Sequence, residues 1–115
     1  MRKTIYGLAA IALACASASA IAQSSFMGEN FSCETAEADL ARVINNNQPP
    51  ASAGLIVQMR HLMWMLTQGM RWLDGNCTGE PGYAQVRASW QNSYNGTVNA
   101  CQGMASNPGE CTPQP

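Results

Sequence analysis

The sequence predicts a small all-α protein, an antiparallel three-helix bundle stapled by two disulfides, which follows a cleaved N-terminal signal peptide. Apolar residues recur at helical spacing in three segments, and the links between these segments are short. Four cysteines remain after the leader, an even number that is typical of disulfide-bonded exported proteins. With about 93 residues, the domain at 23–115 is close to the size at which one core barely suffices for stability.

The first segment, residues 1–22, has the layout of a secretory signal peptide. A positively charged start is followed by an apolar run and then by a string of small residues. Cleavage after Ala22 fits the small-residue rule, and cleavage after Ala20 is the alternative. Lipid anchoring through Cys15 is disfavoured, because Ala12 stands where a leucine is expected. We therefore expect a periplasmic or secreted protein of the bacterial envelope.

The central helix, predicted at about 54–74, organises the bundle. Its apolar arc is wide enough to pack against two neighbouring helices, and Gly75 suits the left-handed position that ends a helix. The segment is too short and too charged for a membrane span. The residues of the arc are Leu55, Ile56, Met59, Leu62, Met63, Leu66, Met70 and Leu73.

Two further helices are predicted, at about 33–46 with Ser32 as its N-cap and at about 82–104. An amide- and proline-rich loop at 45–50 ends the first of them. The segment before the first helix, 23–31, is expected to be a polar lead-in that makes few contacts with the rest of the domain. No strand-like alternation is visible, and residues 105–115 are expected to form a coil tail.

The disulfide pairing follows from the helix lengths. Antiparallel order brings Cys33 beside Cys77, whereas Cys101 lies about 27 Å along the third helix from that end. Because bridged cysteines need α-carbons within about 7 Å, Cys101 should pair with Cys111 and fold the tail back. Loop closure would stabilise the domain by roughly 4 and 3 kcal/mol for the two bridges.

After the leader the chain keeps four arginines, no lysine and a modest excess of carboxylates. Mild acidity without a basic run argues against nucleic acid or an anionic membrane as the partner. A nucleophile–base pair would need His61, and no hydroxyl faces it in helical register. Because no cofactor motif or convergent catalytic group is visible either, we expect no enzyme activity and no cofactor. The acidic residues are Glu29, Glu34, Glu37, Asp39, Asp74, Glu80 and Glu110.

What remains is a surface on the polar side of the central helix. Trp64 interrupts that side between Arg60 and Arg71, with His61 and Trp72 on the flank. Aromatic residues and arginines are enriched at interaction hot spots, so these five residues are the predicted binding patch. We expect binding to another protein in the same compartment, as an inhibitor or protective, immunity-type partner would bind. The alternatives are a homodimer through this face, and a Trp64 that a neighbouring helix covers.

A copper-binding or envelope stress protein is the alternative function. His61 with Met65, and Met59 with Met63, form two pairs at the spacing of one helical turn, and thioether with imidazole suits Cu(I). A helical wheel separates the two pairs, however, since only Met59 and Met63 lie on the apolar arc. The methionines are therefore predicted to fill the core, and no metal site is expected.

Overall fold

A computed structural model describes residues 23–115, which are mostly helical with three α-helices, as predicted. None of these helices combines the length and the apolar character needed to cross a membrane. The predicted leader, which includes Cys15, lies outside the described residues. The elements are β1 (Gln23–Phe26), β2 (Glu29–Ser32), α1 (Ala36–Asn46), α2 (Leu55–Asn76) and α3 (Tyr83–Met104), with 3₁₀ turns at Ala51–Ala53 and Pro108–Glu110.

The expected polar lead-in before the first helix is wrong, because this segment is a β-hairpin. β1 and β2 pair antiparallel, with Phe26 opposite Glu29. The two residues of the turn, Met27 and Gly28, have φ values of 56° and 80°, and positive φ at both positions is what a type I′ hairpin turn requires. Phe31 is only 1% exposed and packs against Phe26 with ring centroids 4.9 Å apart. Burial of these two rings holds the hairpin on the helices.

Two predicted helix ends also differ from the structure. α1 begins after Thr35 rather than Ser32, whose hydroxyl lies 2.7 Å from that of Thr35 at the end of β2. Gly75 does not take the left-handed conformation but lies inside α2, which continues to Asn76. The side chain of Asn76 donates to the carbonyl of Trp72 at 2.8 Å in the last turn of α2.

Both predicted disulfides are present, Cys33–Cys77 and Cys101–Cys111, with α-carbons 5.6 and 5.8 Å apart. The first ties the segment before α1 to the residue after α2. The second folds residues 105–115 back on the end of α3, as expected. This tail is not entirely coil, since it contains the 3₁₀ turn at Pro108–Glu110.

The main core lies where the hairpin, α1, α2 and α3 meet. The three helices approach one another closely at Gly69 of α2. A methyl group there would lie 3.1 Å from Leu40 of α1 and 3.4 Å from Trp90 of α3. A second, smaller cluster joins Met63 to the Cys101–Cys111 disulfide. The buried residues of the main core are Phe26, Phe31, Ala36, Leu40, Val43, Met65, Leu66, Met70, Leu73, Cys77 and Trp90.

A polar network fastens the hairpin to α1. Asp39 is 8% exposed, and its carboxylate accepts hydrogen bonds from the Ser32 amide, the Thr35 hydroxyl and the Arg42 guanidinium at 2.7–3.0 Å. Arg42 also pairs with Glu29 of β2 at 2.9 Å. Burial raises the pKa of Asp39, but the hydrogen bonds from Thr35, Arg42 and Ser32 outweigh it and lower this pKa below its ordinary value of 3.8. The ionised carboxylate is therefore the form that the fold stabilises.

The closeness of the helices at Gly69 predicts opposite effects for two alanine substitutions. Gly69→Ala should destabilise, because Leu40 has to give way by a few tenths of an ångström. Gly96→Ala, at a helical position with open space around it, should stabilise by about 0.5–1 kcal/mol. Urea unfolding of both variants measures the difference. A Gly69→Ala variant as stable as Gly96→Ala would show that the three helices do not meet there.

The lowered pKa of Asp39 predicts a pH-dependent contribution to stability. Asp39→Asn should lower the free energy of unfolding at pH 7, where the wild-type carboxylate is charged. This stabilisation is present above pH 3.8 and is lost as the pH falls through the lower folded-state pKa, so the deficit of the variant should be smaller at an acidic pH below 3.8 than at pH 7. Urea unfolding at both pH values, with exposed Glu37→Gln as the control, measures this. A deficit of equal size at both pH values would contradict it.

Candidate functional site

The structure separates the five residues of the predicted patch. Trp72 packs edge-on against Phe31 of the hairpin, with ring centroids 4.7 Å apart, so it belongs to the core end of α2. Arg60 lies near the other end and holds the tail: its guanidinium donates to the Thr112 carbonyl at 3.1 Å and contacts the Thr112 hydroxyl at 3.3 Å. The carbonyl of Arg60 also accepts from the Gln114 amide at 3.1 Å. Sequence reasoning missed this contact, because nothing local in the chain indicates it.

His61 and Trp64 remain together between those ends. They lie one helical turn apart on α2, and their rings stack with centroids 6.2 Å apart and planes inclined by 28°. Trp64 is partly buried against the main core, so it is neither fully covered nor free in solvent. His61 is also partly buried, and its Nε2 atom is shielded from solvent and has no hydrogen-bond partner. A buried polar atom without a partner costs about 1–3 kcal/mol, which singles out this imidazole.

Two cavities adjoin the His61 ring. The first, of about 210 Å³, is lined by the apolar side chains of Ile44, Pro49, Leu55, Met59 and Leu62 together with two glutamines. The second, of about 250 Å³, lies between the 47–49 loop, Val57 and the tail at Gln114 and Pro115. We call His61, Trp64 and these two cavities the His61 surface.

The His61 surface exists because the helices differ in length. α1 ends at Asn46, and the chain then reverses through the proline-containing loop before α2 begins at Leu55. The first two turns of α2 therefore lack the helical neighbour that covers its second half. Leu55, predicted as part of the buried arc, is instead 50% exposed, and that expectation is wrong. The unequal lengths of the two predicted helices were the one signal that could have indicated this opening.

The arginines of the described chain fall into two classes. Arg42 is paired with Glu29 and Asp39, and Arg87 is paired with Asp74, at 2.9 Å in each case. Arg60 and Arg71 have no carboxylate partner among residues 23–115. Arg71 is exposed, and its side chain makes no hydrogen bond within that range.

The unpaired arginines also share a direction on α2. They lie eleven residues apart, which is about three helical turns, so both project near the Trp64 side of the helix. Two positive charges without counter-charges therefore lie beside Trp64, on the side of α2 that faces away from the cavity lined by Leu55, Met59 and Leu62.

The four candidate copper ligands do not come together. Met63 and Met65 are each 0% exposed, one in the small disulfide cluster and the other in the main core. Met65 was expected to lie off the buried arc with His61, and this is wrong because the hairpin and α1 widen the covered face. Only Met59 and His61 line the same cavity. Two ligands of the four are thus available in one place.

Two sets of polar groups outside the His61 surface are paired within the fold. The Tyr83 hydroxyl donates to Asp74 at 2.7 Å, and this bond is the main cause that lowers the pKa of Asp74 and raises that of Tyr83. A cavity of about 550 Å³ beside the hairpin is lined by the Asp39–Arg42 network, whose groups are already paired. His61 contacts no hydroxyl or carboxylate at hydrogen-bond distance in the described chain. That the protein is not an enzyme stays a prediction.

No protein-family model, no curated protein and no solved structure matches this chain.

Proposed function

We propose that this protein acts by binding another protein of the bacterial envelope through the His61 surface, as an inhibitor or a protective partner would. In this proposal residues 1–22 are removed on export, and 23–115 form an antiparallel bundle in the periplasm or outside the cell. The two disulfides are compatible with such an oxidising compartment.

The observation that carries this proposal is the unpartnered Nε2 atom of His61. Folding has left a polar atom of this ring unsatisfied, and the same residue lines an apolar cavity, so that a turn of the ring would let a bound ligand group supply the missing hydrogen bond. The ring is also stacked on Trp64, which joins a large aromatic surface to the same spot. Hot spots of protein binding are enriched in aromatic residues that lie in pockets shielded from water.

The charges around the surface favour a different protein over a second copy of the chain. A two-fold dimer places the same patch against itself, which would bring Arg60 and Arg71 near their own copies. Like charges across an interface cost binding free energy, whereas a partner's carboxylates would pair with both arginines. We therefore propose an acidic partner surface, and the homodimer becomes an outcome of the test.

Site-specific cross-linking tests this proposal in the producing cell. A photo-reactive side chain in place of Val57, which is exposed beside His61, should capture a distinct envelope protein. The same side chain in place of Gln85, on the exposed side of α3, is the matched control and should not capture it. Equal capture from both positions, or capture of this chain alone, would contradict the proposal.

Two variants then measure the binding energy with the purified partner. Arg71→Ala should weaken binding but change the free energy of unfolding by less than about 0.5 kcal/mol, because the side chain is exposed and unpaired. Trp64→Ala should weaken binding by about 2 kcal/mol or more. It should destabilise the fold less than Trp90→Ala does, since Trp90 is buried. Titration calorimetry measures the affinity and thermal melts measure the stability. Unchanged affinity in both variants would show that Arg71 and Trp64 are not part of the binding surface.

A further inference from the structure

The two outer edges of the hairpin are not equivalent. At the outer edge of β2, the Ser32 amide donates to the Asp39 carboxylate at 3.0 Å. At the same edge, the Asn30 carbonyl accepts from the Arg42 guanidinium at 2.8 Å. Asp39 and Arg42 both belong to α1. Side chains of α1 therefore occupy the edge of β2, and a further strand would have to displace them.

The outer edge of β1 lies on the other side of the hairpin, away from α1. The register pairs Ser25 with Asn30 and Gln23 with Ser32. Opposite residues of an antiparallel ladder alternate between pairs that bond each other and pairs whose amide and carbonyl groups point outward. Because Asn30 and Ser32 direct such groups at α1, their partners on β1 direct their own backbone groups to the opposite side. Among residues 23–115, β1 has β2 as its only strand neighbour.

The sequence of β1 does not block the addition of a strand. Natural edge strands are commonly protected by a charge, a proline or a bulge. The four residues of β1 include no charge and no proline, and they pair with β2 without interruption. One edge of the hairpin is thus closed by side chains, whereas the other can accept an extended segment through its backbone groups.

We propose that β1 is a dimerisation edge, at which the β1 strands of two copies pair antiparallel and form one four-stranded sheet. A two-fold axis at Ser24 sets the register, with Gln23 of each copy opposite Ser25 of the other. These are the β1 residues whose backbone groups point outward, so each of these pairs can exchange both of its hydrogen bonds. Because β1 carries no charged side chain, pairing brings no like charges of this strand together.

A second copy suits this edge because the resulting sheet is closed. Two-fold pairing uses the free edge of both copies, and the outer strands are then the two β2 strands, whose edges Asp39 and Arg42 already occupy. The assembly therefore stops at two copies and does not extend into a fibre. The hairpin contacts α2 at Trp72, which lies about 16 Å along the helix from His61. The dimer would thus leave the His61 surface of each copy open.

Sedimentation equilibrium of the exported protein, with both disulfides formed, tests for this dimer. Because the shared edge is short, the dimer should be weak, with a dissociation constant of about 10–500 µM. Ser25→Pro should raise this constant at least about ten-fold, because it removes an outward amide while the hydrogen bonds to β2 remain. Ser25→Thr keeps the amide and is the matched control, which should dimerise as the wild type does. A wild type that is monomeric at about 1 mM, or a dimer insensitive to Ser25→Pro, would overturn the inference.

Amide hydrogen exchange of the wild type locates the interface without any substitution. The Ser25 amide becomes hydrogen-bonded in the dimer, so its exchange should slow at least about three-fold between concentrations well below and well above the dissociation constant. The Ser32 amide is the internal control, because it is bonded to Asp39 in each copy and should exchange equally at both concentrations. Unchanged exchange at Ser25, in a range where sedimentation shows a dimer, would assign the dimer to another surface and overturn the inference.

Discussion

The structure depends on the absence of a side chain at Gly69. Because no methyl group separates the helices there, Leu40 of α1 and Trp90 of α3 both reach the surface of α2 at one level. The hairpin closes the same core through Phe31, and the Cys33–Cys77 disulfide ties the entry of α1 to the exit of α2. The close packing of this small domain is thereby concentrated on the second half of α2.

That concentration leaves the first half of α2 with fewer neighbours. The Cys101–Cys111 disulfide and the contact of Arg60 with Thr112 hold the tail along one side of it. The side that α1 does not reach keeps an open apolar cavity beside His61. The lining of this cavity is not separate from the core, since Ile44 and Leu62 also pack against it. The tightest packing and the proposed binding site thus lie toward opposite ends of one helix.

The helices and both disulfides could be predicted from the sequence, because periodicity fixes which residues face inward and helix length fixes which cysteines can meet. The hairpin could not be, since Phe26 and Phe31 are isolated rings in a polar segment and their burial depends on α2. Leu55 and Met65 were misplaced for a related reason: a helical wheel assigns one environment along the whole helix, whereas the neighbours of α2 change halfway. The hydrogen bond from Arg60 to Thr112 joins residues about fifty positions apart, so no local sequence pattern predicts it.

The central claim is that α2 is covered over its second half and open beside His61. Its methionines are natural probes of this difference, because Met65 and Met70 lie in the main core whereas Met59 lines the open cavity. Solvent paramagnetic relaxation of the methionine methyl groups measures the accessibility of each one in the folded protein. We expect strong relaxation for Met59 and weak relaxation for Met65 and Met70. Relaxation of Met65 as strong as that of Met59 would contradict it, since the hairpin and α1 would then not cover the helix.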